Sequence, residues 1–144
     1  MEKSVDGGPV LAEYEYDRGA WGLGQRTGMS DATGETSWGY DALGRTIIET
    51  RVLTGGLGVY TTQWTYDLAG RLSSTRYPTG EVVTTTYDVR NLVQSVTGLS
   101  QYMDSATYNA AGMVTRQTWG NDLETVYGYR PDNLRLESLE LLDQ

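Results

Sequence analysis

The stretch TYDLAGRLSSTRYPTGEVVTTTYD, residues 65–88, begins and ends on the same Tyr-Asp pair. Tyr66 and Tyr87 stand 21 residues apart, and the same step taken twice more reaches Tyr108 and Tyr129. Backwards from Tyr66, steps of 26 and 24 residues reach Tyr40 and Tyr16. Six tyrosines therefore anchor six units across nearly the whole chain. A period between about 20 and 50 residues marks a repeat architecture, in which a residue belongs to a lattice before it belongs to a site.

The residues after each tyrosine define a turn. The segments are DALGR, DLAGR, DVRNL, NAAGM and RPDNL, starting at Asp41, Asp67, Asp88, Asn109 and Arg130. Asp or Asn leads four of them, and its side chain can accept from backbone N–H groups further along the turn. The fourth residue after the tyrosine is Gly44, Gly70, Asn91, Gly112 or Asn133, one of the two types that tolerate positive φ. Together these predict a type I turn closed by a left-handed residue in a G1 bulge. Pro131 suits the first central position of such a turn. The first unit departs from the pattern with a longer loop, DRGAWGLGQR, whose Gly19, Gly22 and Gly24 lack the Gly-Lys-Ser/Thr context of a phosphate loop.

The flanks of each turn, such as EVVTTTY, VYTTQWTY, RTIIETRV and MVTRQTW, are strand-length runs of β-branched and aromatic residues. A second set of loops, DATGE, TGGLG, YPTGE, TGLS and WGND, lies between them. The expected fold is all-β: an antiparallel meander of about six β-hairpin repeats, roughly twelve short strands in all. At about 4.8 Å per strand the strip would be roughly 50–60 Å wide. A twist of about 20° per strand accumulates to some 200°, so it must curve or coil. Residues 10–141 are expected to form the strip, with 1–9 as a lead and 142–144 as a tail. The leucines near the C-terminus fit strand alternation at first and helix spacing later. The edges near VLAEYEY and LRLESLEL are protected by little beyond their glutamates.

Composition narrows the partners. The chain has 144 residues, a net charge of -8, 11 Tyr and 4 Trp with no Phe, and neither Cys nor His. Nineteen carboxylates against 11 basic groups repel phosphate backbones, so nucleic acid is not an expected partner. No apolar run approaches the roughly 18 residues of a membrane span, and MEKSVDGGPV has no apolar signal region. Disulfides and thiolate chemistry are excluded by the lack of cysteine. Residues two apart share a strand face, which sets Tyr14, Trp38, Trp64 and Tyr127 beside Tyr16, Tyr40, Tyr66 and Tyr129, with Thr85 and Ala106 at the same place in the other two units. These two aromatic rows are the expected core.

Tyr-Asp-x-x-Gly-Arg-Leu at a step near 21, with an intervening YPTGE turn, resembles the RHS/YD-repeat family of bacterial Rhs and Tc toxin components and the teneurins. Tyr66, Asp67, Gly70, Arg71 and Leu72 give the full signature, and Tyr40, Asp41, Gly44 and Arg45 give it with Thr46 last. Tyr87 and Asp88 keep the dipeptide with Asn91 for the glycine, while Tyr108 and Gly112 keep the flanks with Asn109 for the aspartate. Tyr129 keeps only the aromatic. The resemblance implies a hairpin strip that spirals into a hollow shell, enclosing a toxic protein cargo in the bacterial relatives and serving adhesion in the teneurins. It also implies a secreted or cell-surface setting.

The implied function is a non-enzymatic structural repeat module, with neighbouring repeats, protein cargo or further copies joined through its sheet edges as partners. Two other readings compete. Trp38, Trp64 and Tyr77 could stack on a glycan, and Trp21 and Trp119, in or near loops, are the better ligand candidates among the tryptophans. Without His or Cys, catalysis would fall on a carboxylate pair. Asp41, Asp67 and Asp88, however, recur at one place in the repeat, as a turn role requires and a single active site does not. No cofactor is expected, and neither an EF-hand nor a Gly-Gly-x-Gly-x-Asp repeat offers a metal site. Asp31, Glu35 and Asp122, near loop glycines, read as solvated turn residues.

Overall fold

A computed structural model describes Glu2–Lys3 and residues 11–143. Among these, thirteen strands form one sheet in strict sequence order, every neighbouring pair antiparallel where its register is defined. They are β1 (Glu2–Lys3), β2 (Ala12–Tyr16), β3 (Arg26–Asp31), β4 (Gly34–Tyr40), β5 (Thr46–Leu53), β6 (Gly58–Tyr66) and β7 (Leu72–Arg76). The sheet continues with β8 (Val82–Tyr87), β9 (Val93–Thr97), β10 (Gln101–Tyr108), β11 (Val114–Trp119), β12 (Leu123–Tyr129) and β13 (Leu136–Asp143). The hairpin meander predicted from the repeat is thus the fold. The C-terminal leucines lie on a strand, and Leu142 and Asp143 still pair with Glu124 and Leu123. A two-residue strand, β1, lies against Ala12 and Glu13 of the first long strand.

The two faces differ in chemistry. Residues opposite each other in antiparallel register share a face. Tyr14 meets Met29, Trp38 meets Glu49, Trp64 meets Thr75, Thr85 meets Val96, Ala106 meets Gln117 and Tyr127 meets Leu139. This is the aromatic face. The other face is a field of hydroxyls paired across strands, including Thr65–Ser74 at 2.7 Å, Thr86–Ser95 at 2.7 Å and Ser105–Thr118 at 2.8 Å. Such pairs reinforce the register, because slipping one residue would turn every side chain to the wrong face.

The expected aromatic core needs correction. Among the described residues the one buried hydrophobic side chain is Met103, at 5% exposure, whereas Trp38, Trp64 and Tyr66 are only half-buried. The reason is the layer count: the described residues form a single sheet with no second layer among them, so each ring is covered by its neighbours. Met103 lies between Val96 and Trp119 where β10 bulges, and the Gln117 amide donates to its sulfur at 3.3 Å.

Candidate functional site

The repeated turn is built from one set of hydrogen bonds that recurs in four units. At Asp41, Oδ1 accepts from the backbone N–H of Leu43 (2.9 Å) and Arg45 (3.0 Å). Gly44 N–H closes the turn onto the Asp41 carbonyl at 2.9 Å, with Gly44 at φ 74°. Asp67 repeats this with Ala69 and Arg71, and Gly70 sits at φ 82°. Asp88 repeats it with Arg90 and Leu92, and Asn109 with Ala111 and Met113. The left-handed residues there are Asn91 at φ 66° and Gly112 at φ 77°. An Asp or Asn that gathers two N–H groups and a residue free to adopt positive φ are what the turn requires.

Arginines carry three of the turns to the next unit: the motif's Arg45 and Arg71, and Arg90, which stands two places earlier in its own turn. Arg45 Nε donates to Asp41 Oδ2 at 2.7 Å, and its guanidinium lies 4.4 Å from the centroid of the Tyr66 ring. Arg71 likewise binds Asp67 at 2.7 Å, stacks on Tyr87 at 4.5 Å and donates to Asn91 Oδ1 at 2.8 Å. Arg90 holds Asp88 at 3.1 Å, lies 5.8 Å from the Tyr108 centroid and donates to the Asn109 carbonyl at 3.1 Å. The guanidinium hydrogen bonds hold the carboxyls of Asp41 and Asp67 below the usual carboxylate range, helped by the backbone N–H groups. For Asp88 the Leu92 backbone N–H is the main cause of a shift in the same direction.

The tyrosines complete the ladder. Tyr40 O–H donates to the Arg26 carbonyl at 2.6 Å, Tyr66 to Thr46 at 2.7 Å, Tyr87 to Leu72 at 2.8 Å, Tyr108 to Val93 at 2.6 Å and Tyr129 to Val114 at 2.8 Å. Each acceptor opens the strand that leaves the preceding Tyr-Asp turn, so each hydroxyl ties one hairpin to the one before it. The sequence carries no direct signal for this link, because the acceptor is a backbone carbonyl that any residue supplies. The spacing of the tyrosines is its only trace.

The end units depart. In the last turn Asn133 does not take the left-handed position; Leu134 does, at φ 59°, and its N–H bonds the Arg130 carbonyl at 2.9 Å. Arg130 cannot gather backbone N–H groups as an aspartate does, so the turn lengthens by one residue and Asn133 Oδ1 accepts from Arg135 N–H at 3.0 Å instead. In the first loop Asp17 and Trp21 adopt φ of 63° and 61°, and Asp17 Oδ1 accepts from Gly24 N–H.

The ligand candidates do not converge. Trp21 is 62% exposed in the β2–β3 loop, at the Tyr-Asp edge of the strip. Tyr77 and Trp119 lie at the opposite edge, and the Trp119 indole N–H is taken by Thr125 at 2.9 Å. Sequence reasoning missed Tyr60 and Tyr102 on that edge. Tyr60 shares a groove with Tyr77, Pro78 and Glu81; Tyr102 and Trp119 share the next, with Leu123 and Leu141. The Tyr102 hydroxyl donates to Glu81, keeping that carboxyl low and raising the phenol's own pKa. Asp31 is a turn residue, its carboxyl lowered by the Thr33 hydroxyl and by backbone N–H groups. Among the described residues no group of three or more acidic side chains could hold a metal ion, and no helix is long and apolar enough to cross a membrane.

No family model matches the chain, and no curated protein sequence does. Among solved structures, the chain is similar to the crystal structure of TcdB2-TccC3, with a TM-score of 0.80 and 22% identity over 92% of this chain and 8% of that one. TcdB2-TccC3-TEV gives 0.80 and 21%, over 93% of this chain and 8% of that one. The Tc holotoxin pore of Photorhabdus luminescens gives 0.79 and 22%, over 92% and 8%. The likeness is one of fold, to chains of which this one spans about 8% of the length.

Proposed function

We propose that this chain is a non-enzymatic structural repeat module, part of a wall that encloses a protein cargo or scaffolds a surface assembly. The observation that carries this reading is the ladder: five repeat tyrosines donate to the carbonyl at one place in the preceding hairpin, and four Asp or Asn side chains gather the same two backbone N–H groups of their own turns. Residues spent identically four or five times over support a lattice, since a reaction centre is used once. The fold likeness to Tc toxin chains agrees with it, and so does the uncovered aromatic face, which a larger wall would shield. The test is truncation: removing residues 120–144 should leave the preceding hairpins folded at reduced stability, as nearest-neighbour coupling requires. Loss of all structure on that truncation would refute the modular reading.

A second reading has its own support in the exposed edge of Tyr60, Tyr77 and Tyr102, at 46%, 44% and 40% exposure, beside Trp119. Flat rings flanked by a carboxylate suit a glycan. Quenching of tryptophan fluorescence by a glycan, abolished by Trp119→Leu and Tyr77→Ala, would establish it; no response across a glycan panel removes it.

A further inference from the structure

The ladder has one seat without a tyrosine and one tyrosine without a seat. Five repeat tyrosines donate to the residue that opens the strand after the preceding turn: Arg26, Thr46, Leu72, Val93 and Val114. The sixth such residue is Leu136, which opens β13, and among the described residues no hydroxyl donates to its carbonyl. Arg135 precedes it. Its carbonyl accepts from Arg130 N–H, as the Arg45 and Arg71 carbonyls accept from Asp41 and Asp67, so it stands where those two arginines stand. Their guanidinium groups stack on the next tyrosine, whereas Arg135 is exposed beside strand β13, which pairs on one side only among the described residues. At the other end Tyr16 is 46% exposed, and no acceptor among the described residues takes its hydroxyl.

Resting on the lattice reading, we propose that the β13 edge, with Arg135 and the Leu136 carbonyl, receives Tyr16 and strand β2 of a second copy of this chain. The register is set by four existing interfaces. The third residue of the receiving strand pairs with the residue three before the incoming tyrosine: Gly28 with Ser37, Ile48 with Gln63, Ser74 with Thr84 and Arg116 with Val126. The same rule sets Ser138 opposite Glu13 of the copy, and Leu139 opposite its Ala12. Leu139 is 57% exposed and lies on the aromatic face, which Ala12 would extend.

Two features keep the contact weak. Strand β1 pairs with Ala12 and Glu13, so it must leave before the copy can dock. Glu13 would lie diagonally across from Glu140 on the same face, so association should strengthen as salt rises. The interface joins two different surfaces and does not close on itself, so it builds a series of oligomers.

The experiment mixes this 144-residue chain carrying Ala12→Cys with the same chain carrying Leu139→Cys under mild oxidation. These 144 residues contain no cysteine, so any disulfide reports a contact between copies. A cross-linked heterodimer is expected, and far less product when Ser138→Cys replaces Leu139→Cys, because that side chain faces the other way. Arg135→Ala and Tyr16→Phe should each weaken association by about 3- to 10-fold in sedimentation. A monomer up to about 1 mM, or equal cross-linking by both cysteine pairs, would overturn the proposal. The lattice reading would survive either result if truncation still removes stability one hairpin at a time.

Discussion

The central turns and the end turns of this strip start from the same tyrosine and finish differently. At Asp41 and Asp67 an aspartate, a left-handed glycine and an arginine close a tight turn and bind it to the next hairpin. At Tyr129 an arginine replaces the aspartate, the turn gains a residue, and the left-handed position falls on Leu134. At Tyr16 the loop is longer still, and the tyrosine hydroxyl has no acceptor among the described residues. The tyrosine alone therefore marks a unit's place without making its turn. The aspartate and the flexible fourth residue make the turn, and the arginine passes it on.

Identical substitutions in the two kinds of turn should separate these roles. Gly70→Val forces a β-branched side chain to φ 82° in a place where its Cβ meets nothing closer than the Arg45 guanidinium at 3.5 Å, so the penalty is one of backbone conformation. It should cost about 1–2 kcal/mol in denaturant unfolding. Asn133→Val, at the same count from its tyrosine, should cost less than Gly70→Val, because Leu134 already holds the left-handed position and only the exposed bond from Arg135 N–H is lost. Equal losses at the two sites would mean the turns are alike after all.

Tyr87→Phe removes the donor to Leu72 and should destabilise by about 1 kcal/mol, while Tyr16→Phe should leave the melting temperature unchanged. Arg71→Ala loses its stack on Tyr87 and should cost about 0.5–1 kcal/mol. Arg130, paired with Glu137 at 3.7 Å on the open surface, should be replaceable by alanine with little effect.

Acid supplies the smallest test. The folded-state carboxyls of Asp41, Asp67 and Asp88 lie below their unfolded values, so their contribution is present above the ordinary carboxylate pKa and fades as pH falls through the depressed folded values. The central turns should loosen in that acid window. Asn109 makes the same two backbone contacts with an amide that does not titrate. Asp67→Asn should accordingly remove part of the acid sensitivity; an unchanged acid profile would mean the carboxylate contacts contribute nothing.

Much of this was legible because turn chemistry is written in residue types. Asp67 and Gly70 announce their turn at fixed spacing, and Pro78 and Gly80 announce the one opposite, where Gly80 N–H bonds the Tyr77 carbonyl at 2.9 Å. The all-β meander follows from the step between them. Leu134 was not legible, since its conformation results from what Arg130 cannot do. Nor was the burial of Met103, which depends on bulges in β10 that shift its register. The aromatic rows were placed correctly on one face but overstated as a core, because periodicity says which way a ring points and not whether a second layer covers it. The Tyr60 and Tyr102 edge went unseen because those tyrosines fall outside the repeat phase.

The central claim is that the repeat tyrosines couple neighbouring hairpins and serve no single site. Residue-resolved hydrogen exchange on the Tyr87→Phe chain tests it most directly. Local coupling predicts amides in β7 and β8 exchanging about 5-fold faster, as the loss of roughly 1 kcal/mol requires, with β3 and β4 unchanged. The same acceleration throughout the sheet would contradict it.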